Sequence, residues 1–228
     1  SCSMTDTDVT RTEIDPERLK MFSFGVFSQL SGAVTAGMIH LGDKRGLYAA
    51  LAGLDRPATT AELAEAAGLQ ERWVREWAHN QAAAQIINVD TTVTPELFSL
   101  SPEAVAVLAS PDNVAFGVGM FHRFPQTMAA LGEMPESFRT GLGHDYDTHG
   151  CEGAIGIEKS FEPWMRHHLL DTVLSGLDGV IERLERGVSV IDIGCGAGGA
   201  VLLMAKRFPN STFVGYDISE RALERAAE

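Results

Sequence analysis

From Pro16 onward, apolar residues recur at helical spacing: Leu19, Phe22, Val26, Leu30, Val34, Met38 and Leu41. This periodicity predicts one long or kinked helix ending near Leu41. Met21, Phe24 and Phe27 widen its apolar surface beyond a single stripe, so the helix is expected to be buried, in part against a second copy of the chain. Gly25, Gly32 and Gly37 are expected to admit close helix approach. Residues 1–14 are polar and are expected to be a disordered or tag-derived start. Further on, Thr59 or Thr60 caps a helix over Ala61–Ala67, Gly68 turns it, and Glu71–Gln85 forms a second helix. Ile86–Leu100, with Val89, Val93 and Phe98, reads as a two-stranded wing, and Ser101-Pro102-Glu103 starts a helix through Leu108.

The region 111–185 reads as a helical linker or cap. Val114, Phe116, Met120, Phe121 and Phe124 predict a helix that Pro125 ends or kinks. Thr140–Gly150 reads as a flexible polar loop. Its His144, Asp145, Asp147 and His149 are types that ligate metals, yet such a loop has this composition without one, and no metal is assigned. Phe161, Trp164, Met165 and His168 share helical spacing if Pro163 opens the first turn. A further helix is expected over Leu170–Leu184.

The last stretch changes pattern. Val188, Val190, Ile191 and Ile193 form a near-continuous apolar run, expected as a buried parallel strand. Gly194, Gly196 and Gly198 then permit a tight turn and close backbone approach to a ligand. Helical periodicity resumes at Gly199, and a strand over Ser211–Tyr216 ends in Asp217, about twenty residues beyond the first glycine. Strand, glycine turn, helix, strand and acid make a nucleotide- or nucleoside-binding unit. The match to G-x-G-x-x-G raises a dinucleotide cofactor, and with it an NAD-dependent oxidoreductase. Asp192 argues otherwise: two residues before the turn, its carboxylate repels a pyrophosphate but attracts a cationic group.

The run Asp192-Ile-Gly-Cys-Gly-Ala-Gly198 resembles the first motif of class I S-adenosylmethionine-dependent methyltransferases, and Tyr216-Asp217-Ile-Ser219 resembles the second. The resemblance covers about forty residues. It implies that the glycine turn lies under the methionine and ribose of S-adenosylmethionine, and that Asp217 accepts hydrogen bonds from both ribose hydroxyls, as a carboxylate's two oxygens allow. The implied cofactor residues are Asp192, Gly194, Cys195, Gly196, Gly198, Asp217 and Ile218, with Ile218 against the adenine. Cys195 enters as a small member of the turn, not as a nucleophile. A winged helix-turn-helix ahead of such a unit is similar to the small-molecule O-methyltransferases. The expected fold is thus a mainly α winged-helix domain over 15–110, the cap over 111–185, and from 186 to 228 the first part of an α/β Rossmann-like methyltransferase domain. Family sheets have seven strands and this chain carries two, so a native protein extending beyond Glu228 is expected, and the acceptor-side catalytic base of the family falls outside the sequence.

Phe161, Trp164 and Met165 are candidates for the wall of a pocket for a small acceptor. His167 and His168 are candidate general bases. A winged-helix transcriptional regulator with a ligand-sensing domain is the alternative from another class. Its recognition helix would be Glu71–Asn80, where two arginines are offset by two acids. A net charge of −13 likewise argues against nucleic acid or an anionic membrane as partner. No apolar run is expected to reach the roughly 18 residues that a membrane span requires. Three scattered cysteines suggest neither disulfides nor zinc, and a cytoplasmic homodimer formed through the N-terminal domain is expected.

Overall fold

The computed structural model of the chain describes residues 13–228. Of the start expected over 1–14, residues 1–12 therefore lie outside the described residues. Helix α1 spans Pro16–Lys44 in one piece, running past the expected end at Leu41. The Asp15 carboxylate accepts from the amides of Glu17 and Arg18 (3.0 and 3.3 Å), and Pro16 fills the first turn, where its missing N–H costs no hydrogen bond.

Four short helices and a hairpin complete the winged helix-turn-helix: α2 (Leu47–Gly53), α3 (Thr60–Ala67), α4 (Glu71–Ala83), β1 (Asn88–Asp90), β2 (Leu97–Ser99) and α5 (Pro102–Leu108). Thr59 starts α3 through a capping box with Glu62, and Gly68 ends it in the left-handed conformation. Strands β1 and β2 pair antiparallel, Val89 opposite Phe98, and Ala58 bridges to the far side of Phe98. The core gathers Tyr48, Leu51, Leu63, Val74, Trp77 and Phe98. Helix α2 has no counterpart in the sequence reading, because its buried Leu47, Tyr48 and Leu51 occupy too few turns to show a period.

The close approach of helices occurs at none of the glycines expected to provide it. Gly25 and Gly32 face open space, and a Cβ at Gly37 would meet only Phe124 at 3.8 Å. It is Gly42 that lies under the rings: a Cβ there would come within 2.7 Å of Tyr48 and 2.9 Å of Trp77. The Trp77 indole donates to the Met38 carbonyl at 2.9 Å, tying α4 to α1 at this crossing.

The cap region departs most from expectation. A 3-10 turn covers Val118–Phe121, and Pro125 opens α6 (Phe124–Ala130) instead of ending a helix, since a proline in a first turn forfeits no bond. An unforeseen α7 (Met134–Thr140) follows, then a second 3-10 turn over Tyr146–His149. Pro163 does not start a helix either: it lies inside α8 (Gly150–His168). One missing hydrogen bond is outweighed there by the packing of α8 against the first 3-10 turn and the two helices of the C-terminal unit. The helix expected over Leu170–Leu184 is instead a π-helical turn, Leu169–Leu174, and a separate α9 (Val180–Arg186), parted by Gly176 and Gly179.

The final unit is β3 (Ser189–Ile193), α10 (Gly199–Arg207), β4 (Thr212–Tyr216) and α11 (Glu220–Ala226). The strands pair in parallel with Ile193 opposite Tyr216. Val190 and Phe213 pack on a core of Leu184, Met204 and Phe208. Strand β3 is not buried on both faces as its apolar run suggested: Ile191 and Ile193 are exposed, because among the described residues helices cover only the opposite face.

Candidate functional site

The end of β3 turns sharply because one acceptor serves two donors. The amides of Gly194 and Cys195 both reach the Tyr216 carbonyl, at 2.7 and 3.0 Å. Gly194, Gly196 and Gly198 all have positive φ (82°, 55° and 78°), which a side chain would make costly. A Cβ at Gly194 or Gly196 would meet no protein atom, so the turn leaves open space for something else to approach the backbone.

Asp217 closes this turn from the neighbouring strand. One carboxylate oxygen accepts from the Gly196 amide at 2.7 Å, the other from the Ser219 amide at 2.8 Å. Each oxygen keeps a lone pair for a ligand hydroxyl. Ser219 then caps α11 by accepting from the Ala222 amide at 3.0 Å. Ile218, between these two fixed residues, is 87% exposed. A projecting isoleucine at a strand end is an apolar surface awaiting a partner.

An open cavity of about 520 Å³ lies here, lined by Ile193, Gly194, Tyr216, Asp217, Ile218 and Tyr146. Three of the residues singled out from sequence thus come together on it: Gly194, Asp217 and Ile218. Gly196 and Gly198 shape the turn without lining the cavity. Asp192 stays half-buried within β3, away from it. The Cys195 side chain points elsewhere, packing so closely on Gly215 that a Cβ there would come within 2.6 Å of its sulfur. Burial, and then the carboxylates of Asp217 and Asp192, push its thiol pKa up, which keeps it protonated and a poor nucleophile.

The acceptor and base candidates on α8 are not on this cavity. Met165 reaches α10 instead and helps line a separate space of about 320 Å³ with Glu158, Glu162, Cys195, Leu202 and Lys206. Phe161 and Trp164 are largely exposed, and Trp164 lies beside the ring of His168. The His167 Nε2 bonds the Asp112 carbonyl at 2.7 Å, which commits that ring to the linker after α5. Tyr146 is the wall that sequence reasoning missed. The loop carrying it is also more ordered than its polar composition suggested, since Asp145 caps the 3-10 turn through the Asp147 amide at 3.0 Å. His144 faces Glu133 at 3.4 Å, and Asp147 bonds α11; among the described residues no group of three or more His, Cys, Asp or Glu is arranged to hold a metal.

Fold and site together define a winged helix-turn-helix domain followed by a strand–glycine turn–helix–strand unit of Rossmann-like form. Residues 33–110 match the family described as Rv2258c-like winged HTH domain, and residues 184–228 match a methyltransferase domain family. No curated protein sequence matches the chain. Solved structures share the fold across nearly its whole length. Human N-acetylserotonin methyltransferase, in complex with S-adenosylmethionine, is 13% identical over 94% of this chain and 62% of its own, with a TM-score of 0.62. The mitomycin 7-O-methyltransferase MmcR is 20% identical over 93% and 62%, with a TM-score of 0.62. CalO1, a methyltransferase of calicheamicin biosynthesis with S-adenosylhomocysteine bound, is 21% identical over 93% and 62%, with a TM-score of 0.54. The chain therefore spans about three fifths of the length of these relatives.

Proposed function

We propose that the protein is an S-adenosylmethionine-dependent methyltransferase acting on a small-molecule acceptor. The observation that carries this reading is the convergence of the open glycine turn, the Asp217 carboxylate and the exposed Ile218 on one cavity. About 520 Å³ suits a nucleoside-sized ligand. The carboxylate fits a ribose diol, the bare backbone fits close approach of the amino-acid part, and Ile218 fits the adenine face. When bound, S-adenosylmethionine supplies a methyl group on sulfur for in-line transfer to the acceptor. The contribution of this chain is alignment: Asp217 fixes the sugar, the turn fixes the tail, and Tyr146 and Ile218 flank them. Phe161 and Trp164 remain proposed for an acceptor wall, as exposed rings on α8 apart from the cavity over Asp217.

The regulator reading finds less support. In the helix that would read DNA, Arg72 pairs with Glu76, and Arg75 lies 3.7 Å from Glu71, so the face carries no net positive charge to attract phosphates. A calorimetric panel of S-adenosylmethionine, S-adenosylhomocysteine and NAD separates the remaining readings. Binding of the first two but not NAD is the expected result. Binding of NAD alone, or of none of the three by the full-length protein, would overturn the proposal.

We also propose that the protein is a homodimer through α1. Between Met21 and Gly42 the helix holds no Asp, Glu, Lys or Arg, and Met21, Phe22, Phe24, Phe27, Leu30 and Val34 are all exposed. Such a surface needs an apolar partner. Against the expectation that no apolar run is long enough for a membrane span, α1 is long and apolar enough to cross one, with mean hydropathy 1.3, because Ser and Thr interrupt its apolar run without lowering the average much. Its C-terminal part, however, is fixed in the winged-helix core by Ile39, His40 and Gly42, which favours a second copy of the chain as the cover. Replacing Phe22 and Phe27 with Asp is expected to turn a dimer into a monomer in light scattering. A wild-type monomer that partitions onto lipid vesicles would refute the dimer.

A further inference from the structure

The loop that carries Tyr146 is bound to the cofactor strand by one side chain. Asp147 reaches across to the start of α11: one carboxylate oxygen accepts from the Ser219 hydroxyl and the other from the Glu220 amide at 2.9 Å. The Ser219 hydroxyl thereby acts twice, donating to Asp147 and accepting from the Ala222 amide. Ser219 is 2% exposed, so its end of the junction is buried, while Asp147 is half-buried and Glu220 exposed. Those bonds hold the Asp147 carboxyl below the ordinary carboxylate range, led by that from Ser219.

Ser219 is also where Asp217 ends. Its amide donates to one oxygen of Asp217, whose other oxygen holds the Gly196 amide. An unbroken series of hydrogen bonds thus runs from the glycine turn through Asp217 and Ser219 to Asp147, the residue after Tyr146. Nothing else among the described hydrogen bonds ties the 3-10 turn of Tyr146 to the strand end; its other bonds are local, from the Asp147 amide and the Thr148 amide and hydroxyl to Asp145, and from the Gly150 amide to the Asp147 carbonyl.

We propose that Asp147 is a positioning residue of the cofactor site: it latches the 145–149 turn to the N-cap of α11 and so holds Tyr146 against the nucleoside bound over Asp217 and Ile218. This rests on the methyltransferase reading above. The latch joins the middle of the cap to the end of the C-terminal unit, so it can close only when both are folded, and ligand affinity should report it.

The test is a double-mutant cycle on S-adenosylhomocysteine affinity in the full-length protein, read by calorimetry, with hydrogen exchange of the ligand-free protein alongside. Asp147→Ala is expected to weaken binding about tenfold, and Tyr146→Ala by a similar factor. The double variant should be no weaker than Tyr146→Ala alone, because Asp147 acts through Tyr146. Asp147→Asn, which keeps one acceptor oxygen, should recover part of the loss. Amides of 145–149 should exchange faster in Asp147→Ala while those of the β3 and β4 ladder do not. Wild-type affinity in Asp147→Ala, losses that multiply in the double variant, or unchanged exchange in the turn would each overturn the latch. If the wild type binds no S-adenosylhomocysteine while exchange in the turn still responds to Asp147→Ala, the methyltransferase reading fails, and with it the assignment of a cofactor role to the latch.

Discussion

Asp217→Ala is expected to weaken S-adenosylhomocysteine binding by about 2–3 kcal/mol, a factor of roughly 30 to 150. The size follows from what one carboxylate does here. It presents acceptors to the ligand, and it fixes the amides of Gly196 and Ser219 on either side of the cavity. Removing it takes away a charged acceptor and also loosens the glycine turn, which has positive φ at three positions. Asp217→Asn should fall between, since its amide oxygen still accepts while its NH₂ opposes one of the two backbone donors. Calorimetry on purified full-length variants decides the matter. An Asp217→Ala protein with wild-type affinity would remove this residue from the site and leave the proposed function without its main support.

Trp77→Ala should destabilise the winged-helix domain by about 3–5 kcal/mol, the usual range for deleting a buried indole. Trp77 is 2% exposed, packs edge-on against Tyr48 with ring centroids 5.2 Å apart, and bonds the Met38 carbonyl. It therefore supplies core volume and also fixes the angle at which α1 leaves the domain. Trp77→Phe keeps most of the volume but loses the bond to Met38, and should cost about half as much. Thermal unfolding followed by circular dichroism provides the measurement. Because α1 is the proposed dimer surface, Trp77→Ala should also shift the monomer–dimer equilibrium toward monomer at temperatures where the domain is still folded. A Trp77→Ala protein that melts with the wild type would mean that α1 is held by something other than the crossing at Gly42.

The cofactor unit was legible in the sequence because its determinants are local. A glycine turn needs particular residues at consecutive positions, and a strand-end acid needs only the right distance from that turn. The winged helix-turn-helix was legible for a related reason: Thr59, Gly68 and Ser101 are caps whose hydrogen bonds close within a few residues. Two prolines of the cap depart from expectation, Pro125 opening a helix and Pro163 lying inside one, because local preference names only the places a proline fits best. Whether a helix continues through one depends on the packing around it.

What only the tertiary structure decided is which side chains face the same space. Met165, Trp164 and His168 share helical spacing with Phe161, yet Met165 turns toward α10 and none of the four lines the cavity over Asp217. Cys195 lies within the glycine turn but spends its side chain on Gly215. Tyr146 stands far from the glycine turn and Asp217 in sequence and is brought to the site by long-range contacts, among them the bond from Ser219 to Asp147, 72 residues away. The sequence by itself determined the local chemistry of the turn, the acid and the caps, since each is set by neighbours along the chain. The walls around that chemistry came from long-range contacts, where a side chain's direction depends on which helix packs beside it and no periodicity records the choice.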